Sequence, residues 1–92
     1  MSESDPIYRK NEEFIWSELD GEAVLLNIKN GDYFSLNDTG LSFWEKVDGA
    51  RPLSKILEMM FEEYDVQLTV LKQDIGDLAQ EMSRKGLLET RE

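Results

Sequence analysis

The sequence predicts an α+β domain, a three-stranded antiparallel sheet followed by three helices. Two dipeptides and one change of rhythm predict it. Asp20-Gly21 and Asn30-Gly31 each separate short apolar runs, the strongest short-range sign of a hairpin. At Leu36 the apolar spacing shifts from every second residue to the i, i+3, i+4 pattern of a helix.

The first thirteen residues (MSESDPIYRKNEE) are polar, contain Pro6 and show no period. They predict a flexible N-terminal arm over 1–13, with Ile7 and Tyr8 able to touch the body, and a domain over 14–89. Strands are expected at about 14–18, 23–28 and 33–36. In the middle strand Val24, Leu26 and Ile28 share one face, with Ala23, Leu25 and Asn27 on the other. Both faces are mostly apolar, so neither reads as simply solvated. The Asn30-Gly31 pair suits a type I′ turn, which needs two positive φ angles.

Asn37 or Asp38 can cap a first helix carrying Leu41, Trp44 and Val47 on one stripe, and Asp48-Gly49 ends it. Pro52 suits the first position of a second helix. There Leu53, Ile56, Leu57, Met60, Phe61 and Tyr64 follow the helical spacing. A third helix runs from about Leu68 to Lys85, with Leu68, Leu71, Ile75, Leu78 and Met82 in register and Gly86 just past its end. Trp44, Leu57 and Phe61 are expected in the core.

Composition removes several function classes. The chain has 92 residues, 20 acidic against 10 basic side chains, and a formal net charge of −10. That balance opposes a phosphate backbone, so nucleic acid is not an expected partner. With no histidine and no cysteine, the commonest general base and metal ligand, the thiol nucleophile and any zinc thiolate site are missing. No glycine-rich phosphate cradle occurs, and the acidic pairs Glu12-Glu13 and Glu62-Glu63 lie on segments that read as solvated. An enzyme, a metal site and a cofactor are not expected. No apolar run approaches the roughly 20 residues of a membrane span, so a soluble cytoplasmic protein is expected, with no membrane partner.

The strand Tyr33 to Leu36 closes the meander and holds neither proline nor lysine, the usual protection of an exposed edge. Either a helix shields that edge or it stays open for a partner strand. Tyr33 and Phe34 are adjacent, so they point to opposite faces. The residues leave open which one enters the core.

The run GDYFSLNDTG, then FWEKVDGARPLSKILEMMFEEYDV, then DIGDLAQEMSRKGLLE resembles the PqqD-like family over about residues 14 to 89. That family shows G-x-Y-x-x-L-N-x-T-G, a D-G between the first two helices, Y-x-V before the third, and an ending D-[IV]-x-x-[LF]-x-x-x-[LM]-x-x-x-G-L-[LI]. The resemblance implies a winged helix-turn-helix-like, non-catalytic RiPP recognition element. Such a domain binds the leader of a ribosomally made precursor peptide and presents it to a maturation enzyme, such as a radical SAM protein. Biosynthesis of PQQ or of a lasso peptide would be typical settings. The resemblance further implies that the leader adds antiparallel to the third strand and packs against the third helix.

The expected peptide site is therefore Asp32, Tyr33, Phe34, Ser35 and Leu36 on the strand, with Leu71, Asp74, Ile75 and Leu78 on the third helix. Asp74 is carried over from the family's aspartate ahead of its apolar pair. The competing reading is an acidic winged-helix regulatory or nucleic-acid-binding protein. For that role the third helix offers Lys72, Gln73, Gln80, Arg84 and Lys85, interleaved with carboxylates.

Overall fold

The computed structural model describes residues 5–91. In chain order the elements are β1 (Ile7–Lys10), β2 (Phe14–Leu19), β3 (Glu22–Asn27), β4 (Tyr33–Leu36), α1 (Asp38–Lys46), α2 (Leu53–Glu63), α3 (Leu68–Arg84) and β5 (Leu88–Arg91). Strands β2, β3 and β4 form an antiparallel meander in that order, and β1 pairs with β5 in a separate two-stranded ribbon. The expected sheet and the three helices are present, with boundaries within one or two residues.

The first hairpin is the predicted one. Asp20 at φ 56° and Gly21 at φ 79° supply the two left-handed residues of a two-residue turn. The second connection departs from expectation: five residues, 28–32, join β3 to β4, and only Gly31 has a positive φ. Asn27 is the reason. Its Oδ1 accepts the N–H groups of Lys29 (2.8 Å) and Asn30 (3.2 Å), and its carbonyl accepts that of Gly31 (2.9 Å). The side chain therefore curls the chain into an Asx turn before Gly31 reverses it.

Asn37 caps α1, its Oδ1 accepting the Gly40 N–H at 2.9 Å. Helix α3 ends in a Schellman motif: Gly86 N–H donates to the Ser83 carbonyl and Leu87 N–H to the Met82 carbonyl, with Gly86 at φ 85°. That reversal sends Leu87 and Leu88 back into the core.

The core lies on one face of the meander. Ala23, Leu25 and Leu36 face Phe43 and Trp44 of α1, Ile56 and Met60 of α2, and Leu71, Ile75, Ala79 and Met82 of α3. Trp44 and Leu57 are buried as expected, but Phe61 is not, with 44% of its surface exposed. The inward stripe of α2 runs through Ile56 and Met60, and Phe61 sits about 100° round the helix from Met60. The two faces of β3 also separate: Ala23, Leu25 and Asn27 are buried, whereas Val24, Leu26 and Ile28 are exposed.

The larger correction concerns the N-terminal segment. Residues 7–10, expected as part of a flexible arm, form β1 and pair with β5 from Ile7–Arg91 to Lys10–Leu88. Tyr8 is buried, edge-on to Phe43 at 6.3 Å. Pro52 stands at the N-cap of α2 and offers no side-chain acceptor. Acceptors come instead from upstream. The Asp5 carboxylate takes the Ser54 N–H (2.9 Å) and hydroxyl (2.6 Å), and the Pro6 carbonyl takes the Leu53 N–H (2.8 Å). The two Ser54 hydrogen bonds hold the Asp5 pKa below its ordinary value. Further along, Asn11 donates to the Gly86 and Leu87 carbonyls. A four-residue strand is too short to show a period, so nothing local announces it. Residues 1–4, placed in the same arm, lie outside the described residues.

Candidate functional site

β4 pairs with β3 on one side and with no strand on the other among the described residues. Which backbone groups it leaves unpaired follows from the ladder. Asn27 N–H donates to the Asp32 carbonyl at 2.7 Å, so Asn27 and Asp32 form a hydrogen-bonded pair. In an antiparallel ladder such pairs alternate with non-bonded ones. With Leu25 opposite Phe34 and Leu26 opposite Tyr33, the groups of Phe34 and Leu36 face β3. Those of Tyr33 and Ser35 face outward. The open edge thus presents two N–H donors and two carbonyl acceptors, both of each on alternate residues.

A groove runs beside this edge in three adjoining hollows. The middle one, about 430 Å³, is lined by Glu22, Phe34, Ser35, Leu36, Asn37, Gly40 and Leu78. Toward the N-terminal end of α3 it meets a hollow of about 320 Å³, which shares Asn37, Gly40 and Leu78 and adds Thr39, Asp74, Ile75 and Asp77. Toward the β3–β4 loop it meets one of about 520 Å³, which shares Phe34 and adds Phe14, Gly31, Asp32, Tyr33, Lys85 and Leu87. Gly40 keeps the floor open. A Cβ there would stand 3.1 Å from Leu36 Cδ2 and 3.3 Å from Asn37 Oδ1, tighter than ordinary contact.

The expected site residues divide into three groups. Phe34, Ser35, Leu36 and Leu78 meet in the middle hollow, and Asp74 and Ile75 join Leu78 in the next. Asp32 and Tyr33 line the opposite end. Leu71 is not brought to the groove: at 3% exposure it is core, and Ile75, at 1%, only supports the groove wall.

The aromatic pair is settled by the same geometry. Phe34 lies on the inner face, half-buried beneath the Lys85 ammonium, whose Nζ is 5.4 Å from the ring centroid. Tyr33 stands on the outer face with 72% of its surface exposed, and reaches the groove's flank rather than its floor.

Sequence reasoning missed Lys85, Gly40, Asn37 and Asp77 as groove residues. In the sequence Lys85 is a dipole-matched helix end and Gly40 a motif glycine, and only the tertiary fold carries them to the strand. The chemistry of the arrangement is recognition: a polar backbone edge, an apolar floor, Asp74 and Asp77 at one end, and at the other Asp32 with the Lys85 ammonium, which is paired with Glu81 at 3.4 Å. Among the described residues no group of acidic, histidine or cysteine side chains could hold a metal ion. None of their helices is long and apolar enough to cross a membrane.

Comparison with known proteins bears on this edge. The model of the family described as "Coenzyme PQQ synthesis protein D (PqqD)" matches residues 22–88. No curated protein matches the chain. Among solved structures, "TbiB1 in Complex with the TbiA(beta) Leader Peptide" is similar with a TM-score of 0.78 and 26% identity, covering 88% of this chain and 94% of that one. "Lasso peptide synthetase B1 complexed with the leader peptide" is similar in fold with a TM-score of 0.78 and 24% identity, covering 90% of this chain and 98% of that one.

Proposed function

The chain belongs to the coenzyme PQQ synthesis protein D (PqqD) family, and on that premise we propose that it binds the leader of a ribosomally made precursor peptide. The leader lies along β4 as a fourth strand and is presented to a maturation enzyme, such as a radical SAM protein. The observation that carries this reading is the open β4 edge, with the Tyr33 and Ser35 backbone groups facing a groove walled by α3. The likeness to two proteins solved with leader peptides supports it.

Roles follow from position. Tyr33 and Ser35 supply backbone hydrogen bonds, which hold an extended peptide without regard to its side chains. Phe34 and Leu78 receive apolar side chains of the leader above the buried Leu36, and that burial supplies selectivity. Asp74 accepts a hydrogen bond from the leader at the far end. Asp32 shapes the entry beside Lys85, while Leu71 and Ile75 hold α3 in place from within. The role is binding and delivery, without catalysis or a bound cofactor. It serves the pathway of a modified peptide such as PQQ or a lasso peptide.

The test is a calorimetric titration with synthetic leaders of ribosomally made precursor peptides, run against duplex DNA at moderate salt. Saturable leader binding with no response to DNA is the expected result. Binding of DNA without leader binding would establish the acidic winged-helix alternative instead.

A further inference from the structure

The outer face of the meander is apolar where a solvated sheet face is normally polar. Ile15, Leu26 and Tyr33 form one cross-strand row and Ser17, Val24 and Ser35 the next, with Leu19 and Ile28 at the ends. The six large apolar side chains of this face are between 39% and 77% exposed, and no helix covers them. They form the kind of contiguous patch that marks an interaction surface.

Charge and register say what fits it. At the ends of this face stand Glu13, opposite Ile28, Glu22, opposite Leu19, and Asp20 in the turn between β2 and β3. Glu13 is paired with Lys29 at 3.0 Å, and neither Asp20 nor Glu22 has a cationic partner among the described residues. A second copy would bring the same carboxylates, and a net charge of −10, against this rim. An anionic lipid surface would meet the same repulsion. A protein surface with apolar side chains ringed by lysine and arginine is complementary in both respects.

The register adds a second line of support, which rests on the leader-binding reading above. Directly opposed residues of neighbouring strands put their side chains on the same face. Leader residues opposite Tyr33 and Ser35 therefore stand on this outer face and extend it. We infer that the outer face of β2, β3 and β4 docks a protein bearing an apolar patch with a basic rim, and that this partner is the enzyme that modifies the peptide. Such an enzyme touches domain and leader together, and so distinguishes the loaded domain from the empty one.

The experiment uses the full chain and two synthetic amphipathic helical peptides, one of leucine and lysine and one with glutamate in place of lysine. Binding and amide shifts are measured for the wild type and for the double variant Ile15→Thr, Leu26→Thr, which keeps β-forming residues on exposed positions. The expected result is saturable binding of the leucine–lysine peptide, with shifts centred on Ile15, Val24, Leu26 and Ile28. The double variant should lose about tenfold or more in affinity through the lost apolar contact. Equal binding of the glutamate peptide, or shifts scattered over the acidic surface, would overturn the proposal. Sedimentation of the chain alone as a dimer that the double variant abolishes would overturn it too, because a second copy would then cover the face. Leader titration of the same variant keeps the two readings apart: it should match wild type, since the β4 edge is untouched. A leader that fails to bind wild type overturns the earlier reading and the partner's identity as the peptide-modifying enzyme, whereas the docking face itself stands or falls with the two helical peptides.

Discussion

The Lys85 ammonium lies over the ring of Phe34, 5.4 Å from its centroid, and so ties the C-terminal end of α3 to the middle of the open strand. This contact lines one end of the groove, where the register of β4 turns Phe34 inward and Tyr33 outward. Replacing Phe34 by leucine keeps an apolar side chain toward the core but removes the ring, and should weaken leader binding. Replacing the exposed Tyr33 by threonine should change it by no more than a few-fold. Calorimetric titration of both variants checks the contrast, and an equal loss in both would reverse the assignment of faces.

Asp74 lines the other end of the groove and is exposed on α3. A hydrogen bond to a charged group contributes about 1.5–3 kcal/mol, so Asp74→Ala should weaken leader binding by roughly tenfold to a hundredfold. Thermal unfolding of the variant should match wild type. Unchanged affinity would remove Asp74 from the site.

The N-terminal segment should behave as part of the fold. Deleting residues 1–11 removes β1, the buried Tyr8 and the acceptors at the start of α2, and should lower the thermal midpoint substantially. Asp5→Ala tests the cap alone. The pKa of Asp5 is lowered in the folded state by its Ser54 hydrogen bonds, so its contribution is present above the ordinary carboxylate value of 3.8. It is lost as pH falls through the folded value. The variant should therefore unfold at lower temperature than wild type at neutral pH, and the gap should close in acid. A gap that persisted unchanged in acid would assign the effect to something other than the charged cap.

Two residues of α2 separate core from surface. Ile56→Ala should cost about 2–5 kcal/mol, as for other buried aliphatic truncations. Phe61→Ala should cost about 1 kcal/mol or less, because its ring is partly exposed. Chemical denaturation of the two variants measures the difference. A larger loss at Phe61 would restore it to the core.

These cases show what was legible in the sequence. Asp20-Gly21, Asn37 and Gly86 announce turn, cap and stop through local conformational demands, and each works as expected. Phe61 fits the helical spacing as well as Met60 does, and only the direction of the neighbouring helix decides between them. β1 carries no local signal because its partners lie some 80 residues away, as the Arg9–Glu89 ion pair illustrates. For the candidate site, pattern and resemblance name the strand and Asp74, and both line the groove. Lys85 and Gly40 gain their roles from tertiary placement, and Leu71 loses its proposed role to burial.

Amide hydrogen exchange along β4, with and without the synthetic leader, tests the central claim most directly. In the free chain the N–H groups of Tyr33 and Ser35 face the open edge, while that of Phe34 faces β3. Leader binding should slow exchange at Tyr33 and Ser35 and leave Phe34 close to its free-state rate. Exchange at Tyr33 and Ser35 that is unchanged by saturating leader would contradict strand addition at this edge.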